Sequence, residues 1–171
     1  MKSNSTLPKI FAVLSLIAVS IWIGSYLSRL FIVYNLFEGP DLVLQKYITN
    51  DNMSGILLSL LPSILVHFIS FICLILSVLL FYATNKVKLR FNGWLFIILI
   101  AVIITLPFEI YLMTIDYKII AMLNNNSFNS TTVINLLRDR IENLGSYPIV
   151  AILTYVSFYY FIVFQPLIKN E

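Results

Sequence analysis

Four long apolar runs divide the chain, and its polar residues collect between them. Between Lys9 and Glu38 the single charge is Arg29, and from Asn52 to Asn85 there is no Asp, Glu, Lys or Arg. From Phe91 to Ile115 the single charge is Glu109, and from Asn143 to Ile168 there is again none. A helix rising about 1.5 Å per residue crosses roughly 30 Å of hydrocarbon in about 20 residues, so each run is long enough to span. None alternates as a barrel strand would. Backbone groups in lipid must be satisfied within their own segment, which makes the runs helices. The pattern therefore predicts an all-α fold, a single four-transmembrane-helix bundle with spans near 10–35, 54–83, 92–115 and 147–167.

The polar stretches predict less structure. Asn124–Thr132 reads as a flexible loop, with Thr131 or Thr132 capping a helix from Val133 to Leu144 that Gly145 ends. Val133, Leu137, Ile141 and Leu144 share one face, with Arg138, Asp139 and Glu142 elsewhere. That is a short amphipathic extramembrane helix before the fourth span, expected at the outer surface. Pro148 suits the start of that span. Gly39-Pro40-Asp41 marks a turn in the first loop, and no repeat or second domain is visible.

Composition narrows the class. Hydrophobic residues make up 60% and charged residues 11%, against about a quarter charged in soluble domains, which excludes both a water-soluble globule and a disordered chain. One cysteine and one histidine exclude a disulfide framework and a His or Cys metal cluster, so neither metal nor cofactor is expected. A net charge of +3 is too small and dispersed for nucleic acid. Lys86, Lys88 and Arg90 crowd the loop between spans two and three, Lys2 and Lys9 precede span one, and Lys169 follows span four. Glu38, Asp41 and Asp51 make the first loop acidic. The positive-inside rule then puts both termini in the cytoplasm. The first run has no small-residue cleavage site and reads as an uncleaved span. Abundant Ile, Asn and Lys point to a bacterial inner membrane.

Ionisable groups within spans are costly and usually face a bundle interior, so Arg29, His67 and Glu109 are the first site candidates. Arg29 and Glu109 both fall roughly 9 Å inside the outer end of their spans, which predicts that they pair. The plain reading is a structural ion pair; the sharper one is a ligand or proton site, with Ser63, Thr105 and Asp116 beside it. Thr105, Glu109 and Asp116 share a face, and Pro107 bends the helix just before Glu109. In span two, Gly55, Ser59, Ser63, His67, Ser70 and Ser77 form a stripe, either a helix seam or a polar lining leading to His67. An imidazole open to water could relay a proton there. Ser20, Gly24 and Ser28 suggest a second small-residue packing face, and Cys73 reads as an inert packing residue.

P-loop, nucleophile-elbow, zincin and C-x-x-C motifs are absent. Trp22-Ile23-Gly24-Ser25, Leu106-Pro107-Phe108-Glu109 and Leu136-Leu137-Arg138-Asp139-Arg140 give the chain a layout that resembles the anthrone-oxygenase-like small four-helix membrane proteins. The family usually has Asn soon after the third-span Pro, where Glu109 stands, and a Trp in the helix before span four, which this chain lacks. Trp22 with Arg29-Leu30-Phe31 also resembles the first span of small haem-biosynthesis oxidases, without their ligand His. Both resemblances imply a fold rather than an activity. The leading expectation is a non-enzymatic membrane protein: an accessory subunit with a protein partner or homo-oligomer, or a binder of a lipophilic ligand. The alternatives are an oxidoreductase acting on a hydrophobic aromatic or quinone-like substrate, and an oligomeric small transporter or proton-coupled channel.

Overall fold

A computed structural model describes residues 6–85, 89–125 and 128–168. Helices α1 (Thr6–Tyr34), α2 (Asn50–Thr84), α3 (Gly93–Leu123), α4 (Ser130–Leu144) and α5 (Tyr147–Phe164) make up most of it. A hairpin of β1 (Phe37–Glu38) and β2 (Val43–Leu44) links α1 to α2, pairing Phe37 with Leu44 and Glu38 with Val43. Gly39 turns it with φ 70°, a conformation natural to glycine. The basic residues Lys2, Lys86, Lys88 and Lys169 lie outside the described residues.

Four of the helices, α1, α2, α3 and α5, are long and apolar enough to cross a membrane. Their outward faces carry Phe31, Ile69, Leu76, Ile103, Leu153 and Val163, all largely exposed. Such a surface is stable against acyl chains and would aggregate in water. α1 packs along α2 for much of its length, α3 touches α2 and α5, and α5 also meets α1. α4 sits on α2 and α3 at the end opposite the chain termini. Buried apolar residues form two clusters. One, around Trp22, Phe71, Trp94 and Tyr155, fills the half toward the termini; the other, around Val33, Leu60, Ile119 and Leu137, lies under α4.

Several element boundaries differ from the sequence expectation for identifiable reasons. α3 runs on to Leu123, past the apolar run, because Asp116 turns inward with Ile115, Ile119 and Leu123. A charged residue ended the expected span, yet this one is buried. Asn129, rather than Thr131 or Thr132, caps α4, its side chain accepting from the Thr131 and Thr132 amides at 3.0 and 3.3 Å. Gly145 has φ −57° and keeps the helical conformation, so the break before α5 is a short turn and not a left-handed glycine cap. The inner face of α4 packs on the bundle through Val133, Ile134 and Leu137.

The small-residue seams are not where the steps in sequence put them. Ser20, Gly24 and Ser28 lie on the outer side of α1, and Gly55 and Ser59 on the outer side of α2. No atom stands within 4 Å of a Cβ built on Gly24 or Gly55. Successive four-residue steps drift about 40° around a helix, so such a stripe winds off the packed face. The buried face of α2 instead alternates steps of three and four: Leu57, Leu60, Ile64, His67, Phe71 and Leu74. Ser70 and Ser77 stay on it, and Ser20 still reaches the Tyr159 hydroxyl at 2.6 Å. Cys73 is exposed on the outer face and packs against nothing in the core.

Two glycines lack room for a side chain: at Gly145 a Cβ would lie 2.7 Å from the Ile141 carbonyl oxygen, and at Gly93 the segment after α5 stands in the way. The Gly93 amide donates to the Leu167 carbonyl at 3.2 Å, and a Cβ would lie 2.9 Å from the Leu167 Cβ. Gly93→Ala is expected to loosen the segment after α5 and speed its trimming by carboxypeptidase. Gly24→Ala and Gly55→Ala should be neutral or raise stability by about 0.5–1 kcal/mol in thermal melts. A loss of stability at either would restore the seam.

Candidate functional site

Between the two apolar clusters lies a polar layer assembled from five helices. Three- and four-residue steps bring Trp22, Tyr26 and Arg29 onto the inner face of α1, and Thr105, Glu109 and Asp116 onto that of α3. α2 contributes His67, α4 contributes Arg140, and α5 contributes Tyr155. Arg29 is 3% exposed, and His67, Glu109 and Asp116 are fully enclosed.

Asp116 is held between two guanidinium groups. Arg29 grips it from α1 with both terminal nitrogens, Nη1 donating to Oδ2 at 2.7 Å and Nη2 to Oδ1. Arg140 approaches from α4, Nε donating to Oδ1 at 2.9 Å and Nη2 to Oδ2 at 3.4 Å. The Arg140 guanidinium also lies over the Tyr26 ring, 5.7 Å from its centre. Burial is the largest influence on Arg140 and works against its charge, but Asp116 together with Tyr26 and Glu109 outweighs it and raises the guanidinium above its ordinary value.

The expected pairing of Arg29 with Glu109 is therefore not made. Glu109 lies two turns deeper on α3, and the extension of that helix brings Asp116 to Arg29 first. Neither Glu109 oxygen accepts a hydrogen bond from a described residue. The Tyr147 hydroxyl stands near this carboxyl but donates to the Thr105 carbonyl at 3.0 Å. Thr105 completes the floor of the layer, its hydroxyl 3.1 Å from that of Tyr155. Ser63, one turn from His67, is half-buried and outside the layer.

His67 has aromatic neighbours rather than polar ones. Tyr26 meets it edge-on with ring centres 4.7 Å apart, and Trp22 lies 5.7 Å away. Trp22 also contacts Tyr155 at 4.6 Å. Neither imidazole nitrogen of His67 nor Trp22 Nε1 has a hydrogen-bond partner among the described residues, and the Tyr26 hydroxyl, though near the Arg140 guanidinium, makes no bond of normal geometry. Buried polar groups are nearly always paired, and each unpaired one costs about 1–3 kcal/mol. Four such residues in one layer are a signal of something polar to bind. A cleft of about 30 Å³, room for roughly one water, reaches the layer between α1, α4 and the start of α5, bordered by Tyr26, Arg29, Val33, Leu137, Arg140 and Pro148.

Arg140, Trp22 and Tyr26 were not among the sequence-derived site residues. Arg140 had a legible signal: it follows Leu137 by three positions and so shares the apolar face of α4. Trp22 and Tyr26 had none, because an aromatic residue in a span reads equally well as core. Among the described residues no three His, Cys, Asp or Glu side chains come together as a metal site requires. No family model matches the chain, and neither a curated protein nor a solved structure matches it.

Asp116→Asn leaves two buried guanidinium groups without their counter-ion and is expected to cost about 3–5 kcal/mol, read as a fall in melting temperature in detergent. Arg140→Gln keeps the Arg29 pair and should cost less, about 1.5–3 kcal/mol. If both variants melt like the parent, the ion triad does not hold the helices together.

Proposed function

We propose that the chain is a four-span bundle of a bacterial inner membrane that binds a lipophilic small molecule carrying polar groups, without a resident metal. Its termini face the cytoplasm, as Lys9 and Arg90 on that side suggest, and α4 caps the opposite end. The reading is compatible with the architecture that the resemblance to anthrone-oxygenase-like proteins implies.

One observation carries the proposal: Trp22, Tyr26, His67 and Glu109 are buried together with polar atoms that no described residue engages. Their chemistry defines a complementary ligand. Trp22 Nε1 can only donate, Tyr26 can donate or accept, His67 can do one at each nitrogen, and a carboxylate at Glu109 accepts. A flat ring that carries both a carbonyl and a hydroxyl, as in a hydroxyaryl ketone, meets donors and acceptors at once. Aromatic walls from Trp22, Tyr26 and Tyr155 suit such a ring. Entry is from the cleft beside Arg29 and Arg140, and the cleft's small volume means that α4 must lift to admit anything larger than water.

Titration of the purified protein with a decyl 4-hydroxyphenyl ketone, whose hydroxyl can donate to Glu109 and whose carbonyl can accept from Trp22 or His67, followed by tryptophan fluorescence, tests this. Saturable quenching is expected, with affinity about tenfold lower in His67→Leu and in Glu109→Gln, the weight of roughly one hydrogen bond. Non-saturable quenching, or the same affinity in parent and both variants, would refute ligand binding in the layer.

A further inference from the structure

The half of the bundle toward the chain termini contains a second cavity, separate from the polar layer. It measures about 120 Å³ and lies where α1, α2, α3 and α5 meet, with Ala12, Leu74, Val78, Ile98 and Ile162 among its walls. Apolar cavities of about 150 Å³ stay dry and take up small hydrocarbons, so water is a poor occupant here. Its lining is almost wholly apolar, with one exception of consequence. Trp94 borders the cavity, is 4% exposed, and its Nε1 donates to no described residue. Of the other polar groups along the wall, the Tyr82 hydroxyl donates to the Leu95 carbonyl at 2.6 Å and the Ser15 hydroxyl donates to that of Ser77 at 3.1 Å, while the half-buried Gln165 borders the cavity after α5.

The position of Trp94 narrows what the occupant can be. It stands in the first turn of α3, at the end of a span, where indole rings meet the carbonyl region of a bilayer. The exposed side chains of Lys9 and Arg90 mark the same end, Lys9 one turn before Ala12 and Arg90 directly after Leu89, which packs against the adjoining core. Apolar volume, a lone buried donor and exposed cations thus follow one another from the bundle interior outward. Hydrocarbon, ester carbonyl and phosphate follow in the same order along a phospholipid.

We infer that this cavity takes the first few carbons of one acyl chain of an anionic glycerophospholipid, the rest of the tail running along the outer helix faces, with the ester carbonyl accepting from Trp94 Nε1 and the phosphate lying against Lys9 and Arg90. The site shares no residue with the polar layer, so each stands or falls without the other.

Native mass spectrometry of the delipidated full chain, with phosphatidylglycerol and phosphatidylcholine of matched tails added at equal concentration, tests the assignment. One retained phosphatidylglycerol per chain is expected, favoured roughly tenfold over phosphatidylcholine by the two cations. Ala12→Phe, which fills the cavity, should abolish retention. Trp94→Phe keeps an aromatic ring and removes the N–H, and should weaken retention about fivefold, as for one hydrogen bond. That variant decides the matter if the filled cavity prevents folding. Equal retention of the two lipids, unchanged retention in Trp94→Phe, or palmitate competing as well as phosphatidylglycerol would overturn the proposal.

Discussion

A carboxylate buried between helices in a hydrocarbon setting cannot stand alone, and the structure is organised around meeting that demand at Asp116. The penalty for desolvating an unpaired ion runs to several kcal/mol even after relaxation. Arg29 and Arg140 meet it from two directions, one from within a span and one from the helix that lies across the bundle end. The pairing joins α1, α3 and α4, alongside the burial of Val133, Ile134 and Leu137 beneath α4. It also explains why α3 extends beyond its apolar run and why an amphipathic helix is docked inward on the bundle.

Around that ion triad the interior is layered. Apolar packing above and below encloses a band in which charged, hydroxylated and aromatic side chains meet. Hydrophobic association gives little direction among helices that lipid solvates equally well. Specific polar contacts therefore carry much of the helix register, as with the Thr105–Tyr155 and Ser20–Tyr159 pairs. The band is over-supplied with polar groups for that structural task. His67, Glu109, Tyr26 and Trp22 contribute no hydrogen bond to the fold, although burying them is costly. This imbalance separates the layer from an ordinary structural ion pair and supports its assignment as a binding site.

The terminal half obeys a different rule. There the cavity wall is mostly apolar, and the buried Trp94 Nε1, which no described residue engages, is in the first turn of α3 at the end of a long apolar helix. The two regions differ in chemistry because they differ in depth. Charge paired by arginines is sustained where α4 covers the bundle end, whereas an apolar cavity remains where four helices meet around small residues such as Ala12.

Element type was legible in the linear order of residues. Runs without charge, too long for soluble helices, are helices in any lipid-compatible fold, and the three- and four-residue spacing of α4 marked its apolar side. Arg29, His67, Glu109 and Thr105 were legible as interior groups for the same reason, a polar side chain in a lipid-crossing helix having nowhere else to go, whereas Asp116 read as an acid at the outer rim on the same face. Their partners were not. Depth counted along a chain assigns Arg29 to Glu109, but helix rotation and the true end of α3 deliver Asp116 to it, while Arg140 arrives from a segment that reads as external. Gly24, Gly55, Ser28 and Ser59 misled because four-residue steps drift around a helix, whereas Ser20 does meet α5 through Tyr159. Local spacing and solvation cost act along one helix and can be read from it; which charges meet depends on how separate helices turn toward one another, and that is a property of the packed assembly.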